Sequence, residues 1–225
     1  MTEMGGSPTP RHRTRYSRRR FLIMGGAFAA GLAAVIGFFK EIGGGSGSSG
    51  SGNGIFRHWP LNNVESIPHI PPEQWVIDVD GMVEKPLHLD WTGWQKLKRG
   101  DETVDFHCVE GWTVDSVAWG GVQPWTLIEQ AKPLAGATFV NFHALGGEYF
   151  DNLGIEEVKN PQVLLADTLD GAPLPDDHGG ALRLVVPAQM GYKSVKWVTR
   201  IELVDRLAKG YWEQRGYPVE APISG

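Results

Sequence analysis

The sequence predicts an α+β fold built on a mixed β-sheet, and three observations carry that prediction. Short segments alternate apolar and polar residues with the period of a strand, as at 75–81 and 103–108. Short helical stretches fall between them without the regular strand–helix–strand alternation of a parallel sheet. All of these elements follow a Gly/Ser tract at 43–54, which can bury no apolar surface and reads as a flexible tether. The roughly 170 residues from Ile55 onward are enough for one domain with a sizeable core.

Taken in order, Pro68, Pro71 and Pro72 force an extended lead-in, and the alternation of Trp75 to Asp80 ending in Gly81 gives a strand. Leu87, His88 and Leu89 form a second, short one. Asp90 is placed to cap a short helix through Leu97, which Gly93 weakens. The strand at 103–108 follows. Pro124 at a first helical position, with Trp125, Ile128 and Ala131 on one stripe, predicts a helix ending at Pro133. Strands are expected at 138–145, 163–166, 182–187 and 195–203, with a helical turn at 156–158. Gly171, Pro173, Pro175, Gly179 and Gly180 make a long turn region. Of the nine tryptophans, Trp75, Trp91 and Trp197 are assigned to the core.

The first 20 residues hold six arginines, at 11, 13, 15, 18, 19 and 20, against the single acid Glu3. The rest of the chain is acidic, since the net charge is −5. That asymmetry predicts a targeting segment and excludes a nucleic-acid binder, because phosphate would repel the folded part. Ser17-Arg18-Arg19-Arg20-Phe21-Leu22 precedes an uncharged run at 21–39, the pattern of a bacterial twin-arginine export signal. An ordinary signal-anchor helix with a positive inner flank is the alternative. The run's 19 residues suffice to cross a bilayer, and its end shows no small-residue cleavage pattern. The expected organisation is a basic segment 1–20, a signal or membrane anchor 21–39, a linker 40–54 and the folded domain 55–225.

Cys108 is the only cysteine in the chain. It sits where the 103–108 strand gives way to a loop broken by Gly111. Alternation puts it on the inward face with Val104 and Phe106, and His107 on the other. A small buried hydrophobe is one reading of a free cysteine. In an exported protein, an unpaired cysteine more often marks a reactive thiol, an intermolecular bond or a metal ligand.

These motifs together resemble the sulfite-oxidase family of molybdopterin enzymes. The matching pieces are Trp75-Val-Ile-Asp-Val-Asp-Gly81, Phe106-His-Cys-Val-Glu-Gly-Trp112 with Trp119-Gly-Gly-Val122, and Leu169-Asp-Gly-Ala-Pro-Leu-Pro-Asp-Asp-His-Gly179. Leu182-Arg-Leu-Val-Val-Pro187, Gly191-Tyr-Lys-Ser-Val-Lys-Trp197 and Ile201-Glu-Leu203 complete the set. The resemblance implies a molybdenum–molybdopterin cofactor with Cys108 as the thiolate ligand, a soft donor suited to such a metal. It implies pterin contacts from Asn63, beside the equivalent choice Asn62, and from His178, Arg183, Ser194, Val195 and Lys196. A threonine near the pterin in some relatives falls at Ala144 here. From the residues alone, Arg183 has the alternative of facing solvent on an alternating strand, and Lys196 that of being solvated.

An exported, membrane-tethered oxidoreductase that transfers an oxygen atom is therefore expected. The chain has no Cys-x-x-Cys-His motif and no second cysteine, so it holds neither c-type haem nor an all-cysteine iron–sulfur cluster. Electrons would pass to or from a separate membrane cytochrome b or soluble cytochrome. Glu110 stands where sulfite-oxidising relatives place positive charge, and Val109-Glu110-Gly111-Trp112 resembles the periplasmic branch that reduces protein methionine sulfoxide. A small-molecule or protein S-oxide is thus expected over sulfite. Sulfite oxidation, a non-enzymatic domain of the same fold and a cysteine-nucleophile enzyme are the alternatives.

Overall fold

The computed structural model describes residues 59–223. The strands are β1 (Val76–Gly81), β2 (Leu87–Asp90), β3 (Gly100–His107), β4 (Thr113–Val122), β5 (Phe139–Ala144), β6 (Phe150–Gly154), β7 (Leu164–Leu169), β8 (Ala172–Pro173), β9 (Arg183–Val185) and β10 (Val198–Val204). Three short helices lie among them, α1 (Trp91–Trp94), α2 (Pro124–Ala131) and α3 (Ile155–Val158). The α+β class is as expected, but the strands form two sheets rather than one. The first runs β2-β1-β10-β5-β6 and is mixed, with β1 parallel to β10 and the other pairs antiparallel. The second runs β3-β4-β7-β8, with β9 also pairing β7, and is antiparallel throughout.

Apolar residues follow this division. Ile77, Val79, Phe142, Ile201 and Leu203 of the first sheet join Leu127 and Ile128 of α2 in the larger core. Trp59, Phe106, Val117, Trp119 and Leu169 form a smaller one on the second sheet. A carboxylate links helix to strand: Asp167 of β7 accepts from Trp94 Nε1 at 2.6 Å and pairs with Arg99. Gly121 explains how tightly β4 lies on β7, because a Cβ there would strike the Leu165 carbonyl and the Ala166 Cα.

Element ends differ from the sequence expectations for local reasons. Asp90 caps α1 through its carboxylate, which accepts from Gly93 N at 2.7 Å, but the helix stops at Trp94 rather than Leu97. α2 stops at Ala131 because Lys132 takes a left-handed conformation, φ 57°. Residues 195–197, expected in the last strand, leave the sheet: Trp197 has φ 56° and β10 begins only at Val198. That departure frees Lys196 to turn toward the site. The hydrophobic run 21–39 lies outside the described residues, among which no helix is long and apolar enough to cross a membrane.

Candidate active site

Cys108 lies one residue beyond the end of β3, in a tight turn. Its N–H donates to the Trp112 carbonyl and its own carbonyl accepts from Gly111 N, each at 2.9 Å. Gly111 closes the turn at φ 89°, a conformation other residues resist. Cys108 is half-buried, not sealed in a core. Burial pushes its thiol pKa up, while the Glu110 and Val109 N–H groups and the charge of Arg183 favour the thiolate. Burial and the nearby Glu110 charge prevail, so the free thiol keeps its proton until a soft metal displaces it. His107 points elsewhere and meets Thr113 Oγ1 at 3.0 Å, as the alternation requires.

The turn opens into a cavity of about 410 Å³. Cys108, Asn63, Arg183, Ser194 and Lys196 all line it, as does Ala144. Arg183 opens β9, with its side chain 2% exposed, so the solvent-facing alternative does not hold. Its Nη1 donates to the His178 carbonyl at 2.9 Å. Its guanidinium carbon lies 4.8 Å from the Phe106 ring centroid and 5.4 Å from that of Trp119. No carboxylate pairs with it among the described residues, and its Nε has no hydrogen-bond partner there. Burial pushes its pKa down to about 10.

Lys196 is tied down rather than solvated. Its Nζ donates to Asn63 Oδ1 at 2.6 Å and to the Asp177 carbonyl at 2.9 Å. Burial, then the charge of Arg183, pushes its pKa down to about 7. A buried and a half-buried cation beside one cavity, neither with a carboxylate hydrogen-bonded to it, fit an anionic ligand such as the phosphate tail of a pterin. The residues present therefore fit the group that the sequence implied.

Asn62 and Asn63 both serve the site. Asn62 Nδ2 donates to Glu110 Oε2 at 2.9 Å, and Trp112 Nε1 donates to the same oxygen at 3.2 Å. These bonds hold the Glu110 carboxyl below its usual pKa. Ser194 is buried, and its Oγ accepts from Val186 N at 3.2 Å. Val195 and His178 do not line the cavity. Val195 packs in the core and takes Leu184 N on its carbonyl at 2.8 Å. His178 stands behind Arg183, with Nδ1 2.6 Å from Asp177 Oδ1 and a pKa lowered by burial. Tyr149, Tyr192, Trp212 and Tyr217 were not expected, yet all four line the cavity. Tyr149 donates its hydroxyl to the Tyr192 carbonyl at 2.5 Å, and burial raises its pKa well above the usual value. Nothing in their spacing marked them, since they come from three separate irregular stretches.

Residues 64–212 match the family described as the oxidoreductase molybdopterin binding domain. The chain is 33% identical over 157 residues to a protein-methionine-sulfoxide reductase catalytic subunit of Campylobacter jejuni, covering 63% of this chain and 52% of that protein. It is 30% identical over 164 residues to an uncharacterized oxidoreductase of Bacillus subtilis, covering 72% of this chain and 82% of that one. The chain thus spans about half the length of the methionine-sulfoxide reductases it matches. In fold it is similar to the sulfane dehydrogenase SoxCD from Paracoccus pantotrophus, with TM-score 0.58 at 22% identity over 62% of this chain and 40% of the other. The family match covers both sheets and the whole stretch from Asn63's neighbour to Trp212, so a cavity lined by a cysteine and two cations has a common explanation: the chain belongs to the oxidoreductase molybdopterin-binding family.

Proposed function

We propose that this protein is an exported oxidoreductase that reduces an S-oxide, with Cys108 as the molybdenum ligand. When bound, molybdenum–molybdopterin supplies two-electron redox chemistry and oxygen-atom transfer. Cys108 would hold the metal by its thiolate. Arg183 and Lys196 would hold the anionic tail, with Asn63 and the Asp177 carbonyl fixing the Lys196 ammonium and the His178 carbonyl fixing the guanidinium. Ser194 would shape the wall between them, with Val195 and His178 supporting it from outside the cavity.

The observation that carries the substrate class is Glu110. Asn62 and Trp112 hold its carboxylate at the cavity mouth, where it disfavours an anion such as sulfite. Leu61 and Val109, 42% and 44% exposed, add apolar surface to the same rim. A neutral, partly apolar S-oxide suits that mouth, whether a small molecule or a methionine sulfoxide on a protein. Reducing it consumes two electrons and two protons and releases water. The electrons would come from a separate membrane cytochrome b or soluble cytochrome. The twin-arginine pattern at 17–22 supports folding and cofactor insertion before export to the periplasmic side.

Cys108→Ser tests this. Serine is nearly isosteric, so the domain should fold, while a hydroxyl is a harder and far less acidic ligand. Expected is a folded protein that loses S-oxide reduction and shows an altered molybdenum spectrum. Wild-type turnover with an unchanged spectrum, or a wild-type protein without molybdenum and pterin when made in a host that supplies them, would sink the proposal.

A further inference from the structure

Three charged side chains are buried behind the cavity and take no part in the site so far described. Lys193 Nζ lies 2.5 Å from Asp151 Oδ1 and 2.6 Å from Glu213 Oε1, and the three side chains are at most 1% exposed. Glu213 Oε2 also accepts from Asn152 Nδ2 and from Gly210 N, each at 2.9 Å. Asp151 Oδ1 accepts from Asn152 N at 2.7 Å, while Oδ2 has no hydrogen-bond partner among the described residues. The unit holds two carboxylates for one ammonium. Burial raises the Asp151 pKa to about 7 in spite of Lys193. Burial acts on Glu213 in the same sense, but the bonds from Lys193 and Gly210 outweigh it and lower its pKa.

Stability does not account for such a unit. Desolvating three ions costs about as much as their attraction returns, and well-packed apolar replacements of buried ion triads are often neutral or stabilising. Position does account for it. Lys193 is flanked by Tyr192 and Ser194, Glu213 follows Trp212, and Asp151 stands two residues after Tyr149, and all four of these neighbours line the cavity. The three ions sit on a 3₁₀ turn at Gly191–Lys193, on β6 and on a 3₁₀ turn at Glu213–Arg215. Two further bonds cross between the same stretches: Tyr149 hydroxyl to the Tyr192 carbonyl at 2.5 Å, and Tyr211 N to the Phe150 carbonyl at 3.1 Å. Hydrogen-bonded ions are directional where apolar contacts are not, so this junction fixes the mutual register of β6 and the two 3₁₀ turns.

We infer that Asp151, Lys193 and Glu213 are positioning residues, a buried three-ion junction that sets the Ser194–Lys196 segment and the Trp212–Tyr217 wall around the pterin. The inference rests on the cofactor site proposed above. Lys193 carries it most directly, because Ser194 adjoins it and Lys196 follows three residues later.

Three proteins test it, each made in a host that supplies the pterin. Glu213→Gln leaves a balanced Asp151–Lys193 pair and keeps an acceptor for Gly210 N. The triple change Asp151→Asn, Lys193→Met, Glu213→Gln removes every charge at similar volume. Arg183→Ala is the control on the cofactor site itself. Melting, pterin and molybdenum per chain after dialysis well below the melting transition, and the paramagnetic molybdenum spectrum are measured. Both triad variants are expected to fold yet retain at least about tenfold less pterin, the range seen when outer contacts of a metal site are lost. The centres that remain should show a shifted spectrum. A folded triad variant with full pterin and the wild-type spectrum would overturn the inference. So would failure of both triad variants to fold, since the ions would then serve stability. Undiminished pterin in Arg183→Ala would instead place the error in the cofactor site and remove the premise.

Discussion

Lys196 illustrates what burial does to an ammonium beside another cation. With its pKa pushed down to about 7, the side chain is close to half-charged at neutral pH in the free site. Only the charged form attracts a phosphate, so binding an anion takes up a proton above pH 7. Affinity for the pterin should therefore fall as pH rises from 7 to 9, by at most about tenfold per pH unit for one proton. Arg183, at about 10, stays charged across that range. Cys108 pulls the other way, because its thiol must lose a proton to bind metal. Pterin retention by the Lys196→Gln variant isolates the lysine: it should be weaker and should decline less between pH 7 and 9. An equal decline in both proteins would show that Lys196 does not titrate there. A second residue acts on the fold alone. Hydrogen bonding from His143 foremost, against burial and aided by Arg200, holds Glu202 at a pKa of about 2. A depressed carboxylate pKa gives stability that is present above the unfolded value near 4 and is lost as pH falls toward 2. Glu202→Gln should melt lower than wild type at pH 7, and the gap should close by pH 2 in melting curves.

Among the elements, β4 decides how closely the second sheet packs. It pairs with β3 on one side and β7 on the other, with an irregularity at Gly120 and Gly121. At Gly121 a methyl group would meet the backbone of β7, which has no rotamer by which to give way. Gly121→Ala should destabilise the domain by about 1–3 kcal/mol, the usual cost of overpacking, and lower the denaturation midpoint. β3 and β4 also carry the turn that holds Cys108, so the same change should widen the molybdenum spectrum. A midpoint equal to wild type would mean that β7 can retreat without cost. Gly191 makes a similar close approach from the cofactor wall, since a Cβ there would strike the Phe106 ring. That contact links the 3₁₀ turn bearing Lys193 to β3, the strand that ends at His107 just before Cys108.

For the whole molecule, the division of charge between the first 20 residues and the rest bears on where the protein works. A twin-arginine receptor reads the arginine pair rather than net charge, so Arg18→Lys with Arg19→Lys should leave the protein in the cytoplasm. Fractionation checks this, and unchanged export of the double variant would argue for an ordinary signal.

The sequence by itself determined the class of the fold and the place of Cys108 at a strand end, while Arg183 and Lys196 were suggested by the family resemblance, with solvated alternatives left open by the residues alone. Period-two alternation is local, and β3 kept it, whereas β4 was not expected and its last four residues are buried on both faces. Arg183 was favoured as a buried cation because an arginine inside an apolar strand needs a partner. The tertiary structure alone decided that the strands split into two sheets, because pairing partners such as Asp78 of β1 and Arg200 of β10 stand 122 residues apart and alternation says nothing of who pairs with whom. It alone decided that Lys196 faces the cavity, since a left-handed Trp197 delays the start of the expected strand to Val198. Both asparagines proved useful for the same reason: Lys196 and Glu110 reach them across more than 45 residues of chain. The aromatic wall and the Asp151–Lys193–Glu213 junction left no trace in the sequence pattern. Most of their members lie on irregular segments and Asp151 lies on a strand without alternating burial, and only folding brings three charges together where water is absent.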